Sequence, residues 1–228
     1  MKLKTLVPDL WEMTFPLTLL GVDLQRNVTI LRLSSGKLLI HSTAPFTDHD
    51  ISVIRELGEP AWIADVLLRH DTFAREGTAA FPGLPYLVPD GFEAEGVSFQ
   101  PLIPPPAEWA GEIEVLAVEG VPSFGEIVMF HKASRTLVVG DLLFNFSDKS
   151  DLFTKALLAI GSVHGKYDPG ITRPFAHAIE DRGALAASLG KILEWDFDRI
   201  IVGHGDPIHS GGKELLRETF RSAGVVEL

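Results

Sequence analysis

The sequence predicts an α/β fold of the α+β kind, a four-layer αββα sandwich, and three observations carry that prediction. Each half of the chain offers several apolar, strand-type runs followed by helical segments, which suits two sheets packed face to face with helices outside. A proline run, Ile103-Pro104-Pro105-Pro106, falls between the halves, where neither a helix nor a central strand can continue. With 228 residues, 46% hydrophobic and 22% charged, the chain is long enough to bury a large core as one domain over residues 1–228, with a seam between half-domains near residues 103–111.

In the first half, apolar alternation over residues 10–15 reads as a strand, and residues 27–33 and 37–41 read as a hairpin around Ser34-Ser35-Gly36. Thr47 is placed to cap a helix over residues 48–57, Asp50 supplies a weaker form of the capping box, and Gly58 stops the helix. Residues 61–68 form a buried strand, followed by the loop carrying His70, a short helix over residues 73–80 and the breaker Pro82-Gly83. The second half restarts with strands over residues 113–118, 126–131 and 136–140, the last two joined by the turn Lys132-Ala133-Ser134-Arg135. Helices are expected over residues 151–159 and 174–194, then a strand over 199–202 and a last helix after Gly211-Gly212.

A formal net charge of -11 with scattered basic residues excludes a nucleic-acid backbone as the expected partner. Without cysteine, any metal has to be held by imidazole and carboxylate. Met1-Lys2-Leu3-Lys4 looks like the start of a leader, but Pro8, Asp9 and Glu12 interrupt it, and no apolar run reaches membrane-spanning length. The expectation is a cytoplasmic protein with no membrane partner, whose ligand or substrate is a small molecule. Rival catalytic motifs are absent: Gly161-Ser162-Val163-His164-Gly165 has its serine one place early for a nucleophile elbow, and neither a phosphate loop nor His-Glu-x-x-His is present.

The informative residues stand at strand ends. Ala64-Asp65-Val66-Leu67-Leu68-Arg69-His70 ends on an imidazole, Gly140-Asp141-Leu142 puts a carboxylate at a strand terminus, and Gly203-His204-Gly205-Asp206 follows another apolar run. Rigid strands that end in glycine-softened loops can aim such side chains into a cleft. Each residue also has a plainer reading. His70 can be a core histidine bonded to backbone, Asp141 a turn cap, and His204 a loop cap.

Strand-end His70, strand-end Asp141 and Gly203-His204-Gly205, in that chain order, resemble the skeleton of the metallo-β-lactamase superfamily, over most of the chain. In that family a His-x-His-x-Asp-His loop feeds two neighbouring metal ions, two imidazoles to one and the Asp with the last His to the other. If His70 takes the first position, Thr72, Ala74 and Arg75 stand where the second His, the Asp and the third His belong. The family's next histidine lies three residues before a glycine, and counting back from Gly125 gives Pro122. Asp141 matches the bridging aspartate and His204 the last histidine, so three of seven usual ligands remain.

The resemblance therefore implies hydrolase ancestry with a degenerate dinuclear centre, and three uses of it stay open. The chain is an atypical, catalytically impaired member whose cleft binds a small ligand; or it is a hydrolase or iron-type oxidoreductase with a single zinc or iron ion on His70, Asp141 and His204; or it is a structural, partner-binding module with a collapsed cleft. The cofactor expectation is thus none or one divalent metal ion. Asp141 and His204 are the candidate catalytic residues, and Asp71, Thr72 and Arg75 the candidate binding residues.

Arg75 is expected to fork onto Asp141 and replace the lost cation, against the alternative that it points to solvent. His41 lies at a strand end where the family often carries an Asp. His49, His131 and His209 read as loop or edge histidines, His164 and His177 as surface residues beside the helical insertion, and Trp62, Trp109 and Trp195 as core packing.

Overall fold

A computed structural model of the chain describes residues 2–19, 21–146, 152–166 and 168–226. The first half contains β1 (Lys4–Val7), β2 (Leu10–Phe15), the small hairpin β3 (Thr18–Leu19) and β4 (Val22–Asp23), β5 (Arg26–Arg32), β6 (Lys37–His41), α1 (Asp48–Leu57), β7 (Glu59–Ala64), α2 (Ala74–Ala80), β8 (Tyr86–Val88) and β9 (Gln100–Pro101). The second contains β10 (Ile113–Ala117), β11 (Ile127–His131), β12 (Thr136–Val138), α3 (Leu152–Gly161), α4 (Arg173–His177), α5 (Arg182–Glu194), β13 (Arg199–Ile201) and α6 (Gly212–Ala223).

Seven strands pair in the order β1-β2-β5-β6-β7-β8-β9 and four in the order β10-β11-β12-β13. Antiparallel neighbours come first in each sheet and parallel ones last: β6, β7, β8 and β9 run parallel, as do β12 and β13. Alternation along each strand assigns its two faces. Val28 and Ile30 join Trp11, Met13 and Phe15 in a cluster with Ile54 of α1, whereas Leu31, Leu39 and Trp62 turn to the other face and meet Met129, Val138 and Ile201 of the second sheet. That second cluster is the contact between the sheets. Trp62 and Trp109 cross edge to face within it at 5.9 Å, and Trp195 stacks on Phe130, so all three tryptophans pack as the sequence suggested.

The expected start signal of α1 is present. Thr47 Oγ1 accepts from Asp50 N at 3.2 Å while Asp50 Oδ2 accepts from Thr47 N at 3.0 Å, a reciprocal cap worth about 1 kcal/mol. The proline run leads from β9 to β10, linking one sheet to the other.

Several expectations are corrected. The helix expected over residues 174–194 is two helices, because Asp181 caps a fresh start by accepting from Ala184 N at 2.9 Å. The helix expected from Asp151 is seen from Leu152, Asp151 lying outside the described residues. β8 and β9 gave no sequence signal, being two or three residues long beside prolines. His131 is not at a loop or edge: it ends β11 fully buried, sharing a 2.8 Å hydrogen bond between Nδ1 and Ser134 Oγ. Among the described residues no helix is long and apolar enough to cross a membrane.

Candidate metal centre

The site forms where strand ends of both halves meet. Past β7 the chain leaves the first sheet and bonds across to the second half, Ile127 N donating to Val66 O at 2.8 Å and Leu68 N to Phe124 O at 3.0 Å. This crossing carries His70 over to the end of β12, where Asp141 stands, and to the loop after β13, which carries His204.

The Nε2 atoms of His70 and His204 lie 3.5 and 3.6 Å from the same oxygen, Asp141 Oδ1. The two rings cross at 77° with centroids 5.3 Å apart, and the three ligating atoms lie within 4.8 Å of one another. Among the described residues this is the one cluster of three or more His, Cys, Asp or Glu able to hold an ion. His70 is buried; its Nδ1 has no hydrogen-bond partner, and its Nε2 has only the long approach to Asp141. His204 Nδ1 lies 2.6 Å from Gln25 O; since a carbonyl only accepts, Nδ1 carries the proton and Nε2 presents its lone pair to Asp141.

The charges follow from these surroundings. Burial pulls His204 down to about 4, against the opposing pull of Asp141, so the ring is neutral near pH 7. Burial alone would raise Asp141, but His70, His204 and Arg26 outweigh it and hold the carboxyl at about 2. A neutral imidazole lone pair, a carboxylate oxygen and a second buried imidazole thus converge with nothing positive between them. The donor set is that of a divalent cation: bonds of about 2.0–2.2 Å bring neighbouring ligand atoms to roughly 3–3.5 Å of one another. The ring nitrogen of His204 opposite Asp141 is committed to a backbone carbonyl, as ligating histidines commonly are.

Residues that the sequence reading missed hold these ligands. Arg26 is 1% exposed and donates Nη2 to His70 O at 3.0 Å, while its Nε and Nη1 have no partner. The Asn27 amide, equally buried, donates Nδ2 to Val202 O at 3.0 Å and to Gly205 O at 2.6 Å. Glu126 sits beneath Asp141 and accepts from Gly140 N at 2.6 Å and Asp141 N at 2.9 Å. Burial and the neighbouring Asp141 push Glu126 up to about 8, opposed by those backbone donors. The available signal was a polar residue opening an apolar strand: Arg26-Asn27 before Val28, and Glu126 before Ile127.

A second buried network lies behind His70. Asp65 accepts from Thr43 Oγ1 and Tyr86 OH, both at 2.7 Å, and from the Ser42 hydroxyl. His41, 1% exposed with both ring nitrogens unpartnered, is drawn down to about 3 by burial; Asp65 opposes this, and His70 and Arg26 add to it.

Asp71, Thr72 and Arg75 are exposed. The expectation that Arg75 forks onto Asp141 is corrected: its guanidinium faces Glu95 O at 3.5 Å, on the outer side of α2. The cause is the helix start. Ala74 and Gly77 turn inward, and Gly77 lies so close that a Cβ there would meet Thr43 Cβ at 2.6 Å, which leaves Arg75 facing outward. Among the described residues the buried cation whose charge acts on Asp141 is Arg26, bonded to the His70 carbonyl.

No protein-family profile matches the chain, and no curated protein matches it in sequence. Solved structures do match in shape. A metallo-β-lactamase from Hirschia baltica superposes with a TM-score of 0.62 at 15% identity, covering 98% of this chain and 96% of that one. One from Pontibacter korlensis gives 0.60 at 13% identity over 98% of both chains, and the DIM-1 metallo-β-lactamase gives 0.61 at 13% over 97% of both. The chain has the metallo-β-lactamase fold, and its His70, Asp141 and His204 form one candidate ion site within it.

Proposed function

We propose that this chain is a metallo-β-lactamase-like metal-binding protein in which a dinuclear centre is reduced to a single divalent ion, held by His70, Asp141 and His204, and that it acts as a mononuclear hydrolase of a small molecule. The observation that carries the reading is the approach of two histidine Nε2 atoms to one carboxylate oxygen at 3.5 and 3.6 Å. The positions at which the resemblance would seat the remaining ligands are Thr72, Ala74, Arg75 and Pro122, none a customary metal ligand. A divalent ion supplies polarisation of a substrate oxygen and lowers the pKa of bound water to about 7.

The chain's own residues prepare for this. Asp141 is ionised and 23% exposed, so one face of the cluster is open to a ligand. His204 is held as the Nδ1-protonated tautomer by Gln25 and needs no proton loss to ligate. Arg26 is a buried permanent positive charge that acts on both Asp141 and His204, in place of part of the charge a second ion would bring.

Metal analysis of protein purified without chelator tests the reading. The expected result is one zinc or iron per chain, lost in Asp141→Asn and in His204→Ala. Two ions per chain, or none after exposure to both metals, overturns it.

A further inference from the structure

The loop that carries His204 is soft by composition, because the histidine stands between Gly203 and Gly205, and Gly205 sits at φ 94. A Cβ at Gly205 would meet Asn145 O at 2.0 Å, so the glycine is required by close backbone approach as well. A ligand on such a loop needs an outside restraint to stay within about 0.5 Å of its working position.

Gln25 and the first two residues of β5, Arg26 and Asn27, supply one from the other half of the chain. Asn27 Nδ2 reaches Val202 O and Gly205 O, and Asn27 N donates to Gly203 O at 3.1 Å, so carbonyls on both sides of His204 accept from this one residue. The amide orientation is fixed by its partners. Two carbonyls can only accept from Nδ2, and Oδ1 takes the Thr14 hydroxyl at 3.4 Å. Gln25, at φ 56, turns its carbonyl onto the His204 ring, and Arg26 ties down the His70 carbonyl.

We propose that Asn27 is the positioning residue of the ion site: with Gln25 and Arg26 it forms a clamp that sets the ring orientation of His204 and its distance from His70 and Asp141. The clamp rests on the one-ion reading above only for its purpose; its effect on His204 exists without metal. Aspartate turns acceptors toward two carbonyls, and alanine removes the donor to both, leaving only the backbone N–H of residue 27 to reach the loop.

The test uses the full chain with Asn27→Ala and the milder Asn27→Ser, which keeps one hydroxyl donor. Long-range 1H–15N spectra of the metal-free protein read the His204 tautomer. The wild type is expected to show a single Nδ1-protonated form and Asn27→Ala a mixture of tautomers. Cobalt(II) titration at neutral pH reads the site itself. Asn27→Ala should weaken cobalt binding about 10–100-fold and change its visible spectrum, with Asn27→Ser between.

If Asn27 is merely structural, the metal-free melting temperature falls while tautomer and cobalt affinity stay at wild-type values, and the proposal is overturned. If the wild type binds no cobalt but Asn27→Ala still loosens the tautomer, the one-ion reading fails and the clamp stands. Should Asn27→Ala fail to fold, Asn27→Ser decides by the same two readouts.

Discussion

The loop from Asp71 into the start of α2 at Arg75 and the strand entry from Gln25 to Asn27 have exchanged the parts a motif would give them. The loop occupies the place where the family resemblance puts ligands, yet Asp71, Thr72 and Arg75 all face solvent. The second segment carries no recognisable motif, yet two of its three residues are buried: Gln25 holds the His204 ring, Arg26 the His70 carbonyl, and Asn27 the carbonyls of Val202, Gly203 and Gly205 around His204. The lesson is physical. A ligating side chain has to be of the right type at the right spacing, whereas a positioning side chain only has to arrive through space, and its sequence neighbourhood need not announce it.

The comparison breaks most visibly at its two arginines. Arg26→Ala removes a fully buried side chain and leaves the His70 carbonyl without its donor, and should lower unfolding free energy by about 2–4 kcal/mol in urea titrations. A loss below 1 kcal/mol, roughly that of an ordinary surface site, would put Arg26 outside the site's support. Glu126→Gln comes next. One carboxyl oxygen, an acceptor, becomes an amide donor facing a backbone N–H of Gly140 or Asp141, for an expected cost of about 1–3 kcal/mol and a weaker metal affinity.

The pH dependence of stability separates the buried network from the exposed loop. His41 has a folded-state value of about 3 against an ordinary 6.5, so between those values the unfolded chain holds the extra proton. Its contribution is complete above pH 6.5 and is lost as pH falls toward 3, with a slope of at most about 1.4 kcal/mol per pH unit. His41→Leu should flatten the wild-type curve across this window; parallel curves would mean that His41 titrates normally. The smallest effect belongs to Arg75→Ala, which should change stability by no more than about 0.5 kcal/mol and leave metal content untouched.

What the sequence made legible was local or periodic. The Thr47–Asp50 cap, the hairpin around Gly36 and the strand-end placing of His70, Asp141 and His204 all depend on residues a few positions apart. Arg26 and Asn27 meet their partners across 44 and 175 residues, and a contact at that separation leaves no periodicity to read. Arg75 misled for a related reason. Its place came from counting along the motif, but the inward turn of Ala74 and Gly77 against Thr43 leaves it facing outward. Short strands such as β9 are defined by pairing with a neighbour, here β8, rather than by their own sequence.

Anomalous scattering from crystals grown with zinc, recorded on both sides of the zinc edge, tests the central claim most directly. One peak per chain is expected, bonded to His70 Nε2, His204 Nε2 and Asp141 Oδ1. Two peaks a few ångströms apart, or no peak at those three atoms in zinc-saturated crystals, would contradict it.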